Sequence, residues 1–503
     1  MEILTNALSQ NGIIYFGLPV VCLLIYLYCC YKLNYWKRRG VPQLKDQNLL
    51  FGDFKDGILF RTAPGYHLGE IYRRAPANAP YVGFYIFHKP CLLLKDPELI
   101  KQILTRDFDN FSNRHFAGPQ QKDSIGMQNL FGLKNPAWRY LRKKISPTLS
   151  TRAKLRQMLP LMMETGEPMM GYLKEKVATN NESKVIDAQD VNYKYTADLI
   201  ANVALGTKTD SFTYPDSDYS KCLMNFFHSF KRMVALVTVF FMPELVDMIG
   251  SPILFDSSFV REIFWKAVES REKDGKKRGD YIDSIISLKN GEQDPLYRFE
   301  GDNLFYQSGT FFSGFESSST VSAFTLMELA KNKAYQDRAR ADIKRAIDKY
   351  GWTIEAFNDM KYLDQCIAEG VRLHPPVSTI DRYTHRDYKI PNTDVVIEKG
   401  TPIYISLYGL HGDHDHFDQP EVYDPERFTD DRVVSEAYVP FGLGPRKCVG
   451  MRVGQLHVKV VISMILSEYE VYQKQAEVAK LDTRSTFTAA ADGIHMKFMK
   501  LEK

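Results

Sequence analysis

Between Glu2 and Lys32 the chain carries no charged residue. Inside that window Ile13 to Tyr31 (IIYFGLPVVCLLIYLYCCY) is a run of 19 mostly apolar or aromatic residues. A helix needs roughly 20 such residues to cross the hydrocarbon core of a bilayer. Lys32, Lys37, Arg38 and Arg39 follow at once, interleaved with Tyr35 and Trp36. Positive flanks stay cytosolic, so the run predicts a membrane anchor with a short lumenal N-terminus. A cleaved signal peptide fits less well, because no basic segment precedes the run, its length exceeds a usual signal core and no A-x-A site is present. No second span follows, so the expected organisation is an anchor over residues 1–35 and one cytosolic body over 36–503.

The body shows no internal period, Pro/Gly-rich linker or shift in composition that would divide it. At 44% hydrophobic and 25% charged it excludes disorder and low complexity. A net charge of +4 is too mild to argue for nucleic acid as a partner. The seven cysteines (22, 29, 30, 91, 222, 366, 448) are scattered, three of them within the apolar run and none in a C-x-x-C pair, which argues against a disulfide framework or a zinc module.

Tyr81–Phe87 and Cys91–Leu94, around His88-Lys89-Pro90, predict a hairpin rich in aromatic and branched residues. From Asp96 the pattern is helical for roughly three hundred residues. Pro136 opens one helix at the favoured first position, and a long helical stretch over 302–331 is interrupted at Ser313 and Gly314. Strands recur near Val395–Ile397 and Ile403–Ser406. Gly450–Leu466 carries apolar residues at 453, 456, 460, 461, 464 and 465, one face of a buried helix. The class is α+β, mostly helical, with a small β-sheet region.

Just before that last helix stands Phe441-Gly-Leu-Gly-Pro-Arg-Lys-Cys-Val-Gly450. Glycines 442, 444 and 450 permit tight turns and close approach to something flat. Cys448 precedes a helix start, where N–H groups and the dipole favour an anion, so a lowered thiol pKa would make it a thiolate ligand. A small buried hydrophobe is the other reading of such a cysteine. F-x-x-G-x-R-x-C-x-G is filled throughout by Phe441, Gly444, Arg446, Cys448 and Gly450, and on this signature the sequence resembles the cytochrome P-450 superfamily. The resemblance implies the P-450 fold with an N-terminal transmembrane helix, and haem b held by Cys448 as axial thiolate to the iron, with Phe441 and Arg446 at the cofactor. Thiolate ligation pushes electron density onto iron and favours O–O cleavage.

Further matches span roughly residues 36 to 500. Glu369-Gly-Val-Arg372 is similar to the family's E-x-x-R, whose spacing puts both charges on one helix face. Pro425-Glu-Arg-Phe428 supplies Arg427, which the resemblance makes the third member of a structural network. Trp138 and Arg142, four apart, match a W-x-x-x-R pair that meets a haem propionate, and Arg382 resembles another propionate arginine. Arginine's planar fork suits a carboxylate. Ser313-Gly-Phe-Glu-Ser-Ser318 is similar to the oxygen-binding A-G-x-[D/E]-T-[T/S], so Glu316 and Ser317 are the implied catalytic acid–hydroxyl pair that relays protons. Ser313 replaces alanine and Ser317 replaces threonine; the missing methyl leaves the Ser317 rotamer less restricted, and more leakage of reduced oxygen is expected.

His411-Gly-Asp-His-Asp-His416 has metal-like histidine density, but no Cys or Glu is spaced to close a site. Gly442-x-Gly444 lacks the third glycine of a dinucleotide fingerprint, so NADPH binding is expected elsewhere. The anchor connection departs from the family's P-P-G-P: only Gly40-Val-Pro42 remains, followed by Gln43-Leu-Lys, which leaves its stiffness open. Tyr388-Lys-Ile-Pro-Asn-Thr-Asp394, Cys448-Val-Gly-Met-Arg452 and the tail of the long helix resemble the insect detoxification branch, the family-six group.

The resemblance implies a monooxygenase at the endoplasmic reticulum membrane, its catalytic domain on the cytosolic face. Electrons would come from NADPH–cytochrome P-450 reductase, with cytochrome b5 as a second donor, and Lys143, Lys144 and Lys447 are the candidate docking charges. The implied pocket draws on Phe108–Met127, Leu304–Gly314, Pro376–Ile380 and Phe487–Ala489, with candidates among Phe111, Phe116, Phe305, Phe311 and Phe312 making it apolar and fit for hydrophobic small molecules; several of the five are expected in the core instead, as aromatics on long helices usually are. A plant toxin or insecticide is the expected substrate; the alternatives are a dedicated steroid or fatty-acid hydroxylase, or a haem-thiolate isomerase or dehydratase.

Overall fold

The apolar run enters the structure, a computed structural model, as the helix α1 (Leu18–Leu33). Residues 18–116, 128–177, 184–249, 257–429, 435–475 and 477–502 are described, so residues 13–17 of the run fall outside the described residues. Side chains from Leu18 to Tyr28 are exposed along α1, and only its last turns reach the body, burying Cys29 and Leu33. A helix apolar all round yet uncovered by protein is suited to a bilayer.

The connection that follows is a clamp of side chains. Trp36 is fully buried against Gly83, where a Cβ would stand 2.2 Å from the indole. The Trp36 N–H donates to the Tyr85 hydroxyl oxygen at 3.0 Å. Gln43 Oε1 accepts from the Lys37 N–H at 3.0 Å and from the Tyr85 hydroxyl at 2.9 Å, while its Nε2 donates to the Leu33 carbonyl at 3.1 Å. Arg39 and Tyr35 both reach the Glu398 carboxylate. Gln43 thus holds by hydrogen bonds a turn that prolines would hold by restricting φ.

In chain order the strands are β1 (Tyr81–Ile86), β2 (Lys89–Leu94), β3 (Lys184–Asp187), β4 (Thr379–Tyr383), β5 (Tyr388–Lys389), β6 (Val396–Ile397), β7 (Pro402–Ser406), β8 (Tyr469–Tyr472) and β9 (His495–Lys500). The expected hairpin is β1–β2, antiparallel, its turn shortened to Phe87-His88. β2 then pairs in parallel with β7, and β7 antiparallel with β4, giving a four-stranded sheet in the order β1-β2-β7-β4. This sheet brings Arg382, near the end of β4, beside a body that is mostly helical.

The helices around the site are α2 (Ala137–Ser150), α3 (Arg152–Val177), α4 (Ala188–Ala204), α5 (Asp302–Phe312), α6 (Phe315–Lys331), α7 (Lys361–Leu373) and α8 (Met451–Glu468). Pro136 stands one residue ahead of α2, at its N-cap, rather than at the first helical position. The long stretch breaks where Ser313 and Gly314 predict, between α5 and α6. There the Gly314 N–H bonds the Phe311 carbonyl at 3.0 Å, a tighter turn than the helix on either side.

α8 is the buried helix expected, and its burial extends beyond that apolar face: every residue from Leu456 to Leu466 is buried, Lys459 and His457 included. Lys459 is tolerated because its Nζ donates to the Phe357 carbonyl at 2.6 Å and meets Asp364 at 2.6 Å. By length and composition α8 could cross a membrane, but most of it is buried in the body, as a core helix is.

Candidate active site

The loop from Phe441 to Gly450 is shaped by its glycines. Gly442 and Gly444 take φ of 70° and 69°, and a Cβ on Gly444 would fall 1.9 Å from the Leu104 carbonyl oxygen. The chain can therefore turn back on itself only with glycine there, and the Cys448 N–H closes the turn on the Phe441 carbonyl at 2.9 Å. Cys448 lies two residues before Gly450, the N-cap of α8, and lines a cavity of about 280 Å³.

Its side chain is accessible, but onto that cavity, and the surrounding protein leaves it poorly solvated. Burial accordingly raises the Cys448 thiol pKa, against the opposing pull of the Gly450 N–H and of Arg142, Arg114 and Lys447. The lowered thiol pKa expected from the helix start is overturned: desolvation outweighs a dipole acting from two residues away.

The charges around this cavity are lopsided. Arg114, Arg142, Arg382, Arg446 and Lys447 line it, and among the described residues no carboxylate does. Burial pushes Arg382 down to about 9 and Arg446 down to about 8, the neighbouring arginines adding to the effect in both. Burial also lowers Arg142. Arg382 Nη1 donates to the Asp381 carbonyl at 2.7 Å, while its buried Nε has no partner among the described residues. Arg446 is more fully engaged: Nε donates to the Ser112 carbonyl at 2.6 Å and Nη2 to the Leu133 carbonyl at 2.9 Å. Its guanidinium also covers the Trp138 ring at 4.0 Å. Concentrated, poorly compensated positive charge beside one thiol fits a flat dianionic cofactor that takes a sulfur ligand.

Arg114 escaped the sequence reading. It comes from the loop after Asn113, stacks on Phe131 at 4.1 Å and reaches the Asp381 carboxylate at 3.3 Å. Burial opposes ionisation of Asp381, yet Arg114, the Phe116 N–H and Arg382 hold it below the usual carboxylate range. One arginine in S-N-R-H carries no motif; its place is set by β4, which lies 267 residues away.

Glu369, Arg372 and Arg427 come together. Glu369 and Arg372 are fully buried on α7 and paired through two bonds, Nε to Oε2 at 2.7 Å and Nη2 to Oε1 at 2.8 Å. Arg427 Nε reaches Oε1 at 3.2 Å and the Asp424 N–H reaches it at 2.9 Å. Arg372 also donates to the carbonyls of His411 at 2.8 Å and Val422 at 3.2 Å. His411 is thereby tied into this network, and its buried ring accepts the Val439 N–H at 3.3 Å, two residues before Phe441.

Glu316 and Ser317 part company. Ser317 lines the cavity together with Thr310, Ser313, Gly314 and Val321, while Glu316 does not line it. Glu316 is buried toward α4, accepts the Tyr193 hydroxyl at 3.2 Å, and burial pushes it up to about 8. The five aromatic candidates divide between lining and core, as expected. Of the five phenylalanines only Phe311 lines the cavity; Phe111, Phe116, Phe305 and Phe312 are packed in the two hydrophobic cores. Phe131 and Leu130 take their place, with Pro376, Val377, Thr379 and Ile380 as expected. Phe487–Ala489 does not reach the cavity, and 117–127 of the expected lining loop lies outside the described residues. Lys143 borders a second depression with Arg106, Arg139 and Arg142, on the α2 side of the cysteine loop; Lys447 is exposed and Lys144 half-exposed.

Comparison with known proteins gives one answer. The family model for Cytochrome P450 matches residues 57–498. The chain is 36% identical to Cytochrome P450 6k1 of Blattella germanica, over 94% of each chain. It is 34% identical to "Probable cytochrome P450 6g2" of Drosophila melanogaster, over 93% of this chain and 94% of that one. It is also 34% identical to Cytochrome P450 6j1 of Blattella germanica, over 90% and 89%.

Proposed function

The chain belongs to the cytochrome P450 family of haem-dependent monooxygenases, and from that premise we propose that it is a microsomal enzyme which oxidises hydrophobic foreign compounds such as plant toxins or insecticides. Residues 1–35 are its membrane anchor, in the endoplasmic reticulum, and 36–503 its cytosolic catalytic body. The observation that carries the site assignment is the cavity that joins one thiol, four arginines and an apolar wall. Its residues fit haem b: Cys448 would ligate the iron, Phe441 stands in the same loop, and Arg114, Arg142, Arg382, Arg446 and Trp138 would hold the propionates. When bound, that group supplies the iron chemistry by which one atom of O2 enters the substrate and the other leaves as water.

The protein's own part is positional. Glu369, Arg372 and Arg427 hold the segment leading to Cys448. Phe131, Phe311, Val377 and Ile380 exclude water and bind the apolar substrate. Ser317 Oγ and the Glu316 carboxyl hold the protons that the reaction consumes. Lys143, Lys144 and Lys447 offer positive charge to an acidic electron donor, NADPH–cytochrome P450 reductase or cytochrome b5, in the weak electrostatic encounter suited to electron transfer. The likeness to the insect family-six group supports foreign compounds over an endogenous steroid or fatty acid.

The test is an optical titration of the purified ferric protein with a steroid and fatty-acid set and a plant-toxin and insecticide set. Spin-state shifts with many unrelated apolar compounds are expected. A shift with a single steroid or lipid would make it a dedicated biosynthetic enzyme. Absence of any haem band after haem supplementation would overturn the assignment of Cys448.

A further inference from the structure

The acid of the proton-relay pair faces away from the cavity it has to serve. Along α6 the residues that line the cavity are Ser317, Ser318 and Val321, and Gly314 lines it just before the helix; Glu316 is one position off that face and packs toward α4. α4 is buried almost throughout, from Val191 to Ala204 apart from a half-buried Lys194. From it Tyr193 lays its ring parallel to Phe315, 5.4 Å apart at 9°, and donates its hydroxyl to Glu316 Oε2 at 3.2 Å. The stack and the hydrogen bond address adjacent residues, so the tyrosine grips the first turn of α6 at two points.

We propose that Tyr193 is the positioning residue of Glu316: its hydroxyl holds the carboxyl group on the α4 side of the helix and sets the proton affinity with which that acid serves Ser317. The assignment rests on the monooxygenase reading of the site but concerns a residue outside the signature motifs. Transfer moves a proton from the Glu316 carboxyl to Ser317 Oγ, which gives up its own proton into the cavity, and leaves a carboxylate, which the Tyr193 hydroxyl stabilises until a proton returns from solvent. The balance is one of burial against one hydrogen bond. Burial pushes Glu316 up to about 8, and the bond from Tyr193 pulls it back. Tyr193 itself is raised far above its ordinary range, first by burial and then by Glu316, Asp187 and Asp482, so it acts as a hydroxyl donor and not as a phenolate. His457 of α8, in contact with Thr196 on α4, is pushed down to about 3 by burial and stays neutral through this range.

The test uses full-length protein carrying Tyr193→Phe, which keeps the ring stack and removes the hydroxyl, beside Glu316→Gln. Infrared difference titration reads the protonated carboxyl band of Glu316 directly, with or without turnover, and Glu316→Gln identifies the band by losing it. In Tyr193→Phe its midpoint is expected to rise by about one pH unit, the worth of one hydrogen bond to a charged group. The pH dependence of product formed per NADPH should rise by the same amount, with substrate affinity unchanged. A band that does not move in Tyr193→Phe overturns the proposal whatever the activity. A band that moves while the coupling profile stays in place overturns the link to proton delivery. A protein that shows the band shift but no NADPH-driven oxidation at all would condemn the monooxygenase reading and leave the Tyr193–Glu316 geometry standing.

Discussion

Glu369→Gln separates a buried network from an ordinary ion pair. Glu369 accepts four hydrogen bonds, two from Arg372 and one each from Arg427 and the Asp424 N–H. Glutamine keeps the volume, removes the charge, and turns an acceptor oxygen into an NH2 that faces guanidinium donors. Arg372, fully buried, is left with the carbonyls of His411 and Val422 and no counter-charge. Breaking a buried pair from one side costs about 3–5 kcal/mol, a large share of a stability on the order of 5–15 kcal/mol. Arg427 sits at the rim with one long bond to Glu369, its side chain 13% exposed, so Arg427→Ala should cost only about 1–2 kcal/mol. Urea unfolding of the detergent-solubilised full-length protein, followed by far-ultraviolet circular dichroism and by the haem band, should order the midpoints wild type, Arg427→Ala, Glu369→Gln. The haem band should be lost first in Glu369→Gln, because Arg372 and His411 tether the chain that enters the cysteine loop at Val439. A cost below about 1 kcal/mol for Glu369→Gln, the value of an exposed bridge, would refute the reasoning.

Ser317→Thr restores a methyl that restricts the hydroxyl rotamer, and peroxide released per NADPH should fall; equal release from both proteins would show that the serine leaks no more than threonine. The rate of reduction by the reductase should fall as ionic strength rises, because the contact through Lys143, Lys144 and Lys447 is screened within about 10 Å at 0.1 M salt, and a flat salt profile would remove those lysines from docking. Gly83→Ala would put a Cβ 2.2 Å from the Trp36 ring and should open the anchor junction to limited proteolysis near residues 37–47, with Gln43→Ala doing so more mildly; wild-type resistance in both would mean that the clamp does not hold the junction.

How much of this was legible depended on whether the constraint is local in the chain. The cysteine loop and the Glu369–Arg372 pair could be read because their geometry follows from spacing within one turn or one helix face, and the helix break at Ser313-Gly314 because small residues mark it. The thiol pKa could not: the helix start is visible in sequence, but the cavity wall that desolvates Cys448 is assembled from α2, β4, α5 and α6. Which of the phenylalanines line the cavity was hidden for a related reason. Aromatic residues at 305 and 312 mark a buried helix, yet only packing decides which side meets the cavity and which the core, and Phe305 turns to Phe264 at 5.6 Å.

Arg114 and Tyr193 were invisible on different grounds. Arg114 gains its role from Asp381 on the adjoining strand β4, a pairing that no short window contains. Tyr193 lies on a helix buried on nearly every face, where apolar periodicity offers no contrast and a tyrosine reads as core. Its hydroxyl is the informative atom, since a buried hydroxyl needs a partner, and the partner it has is Glu316, the acid proposed for the relay. Residues with a local motif are thus read from sequence, while residues such as Arg114 and Tyr193 come from loops and helices whose own sequences look like packing. Buried polar groups in such elements are therefore where the unannounced part of the site should be sought.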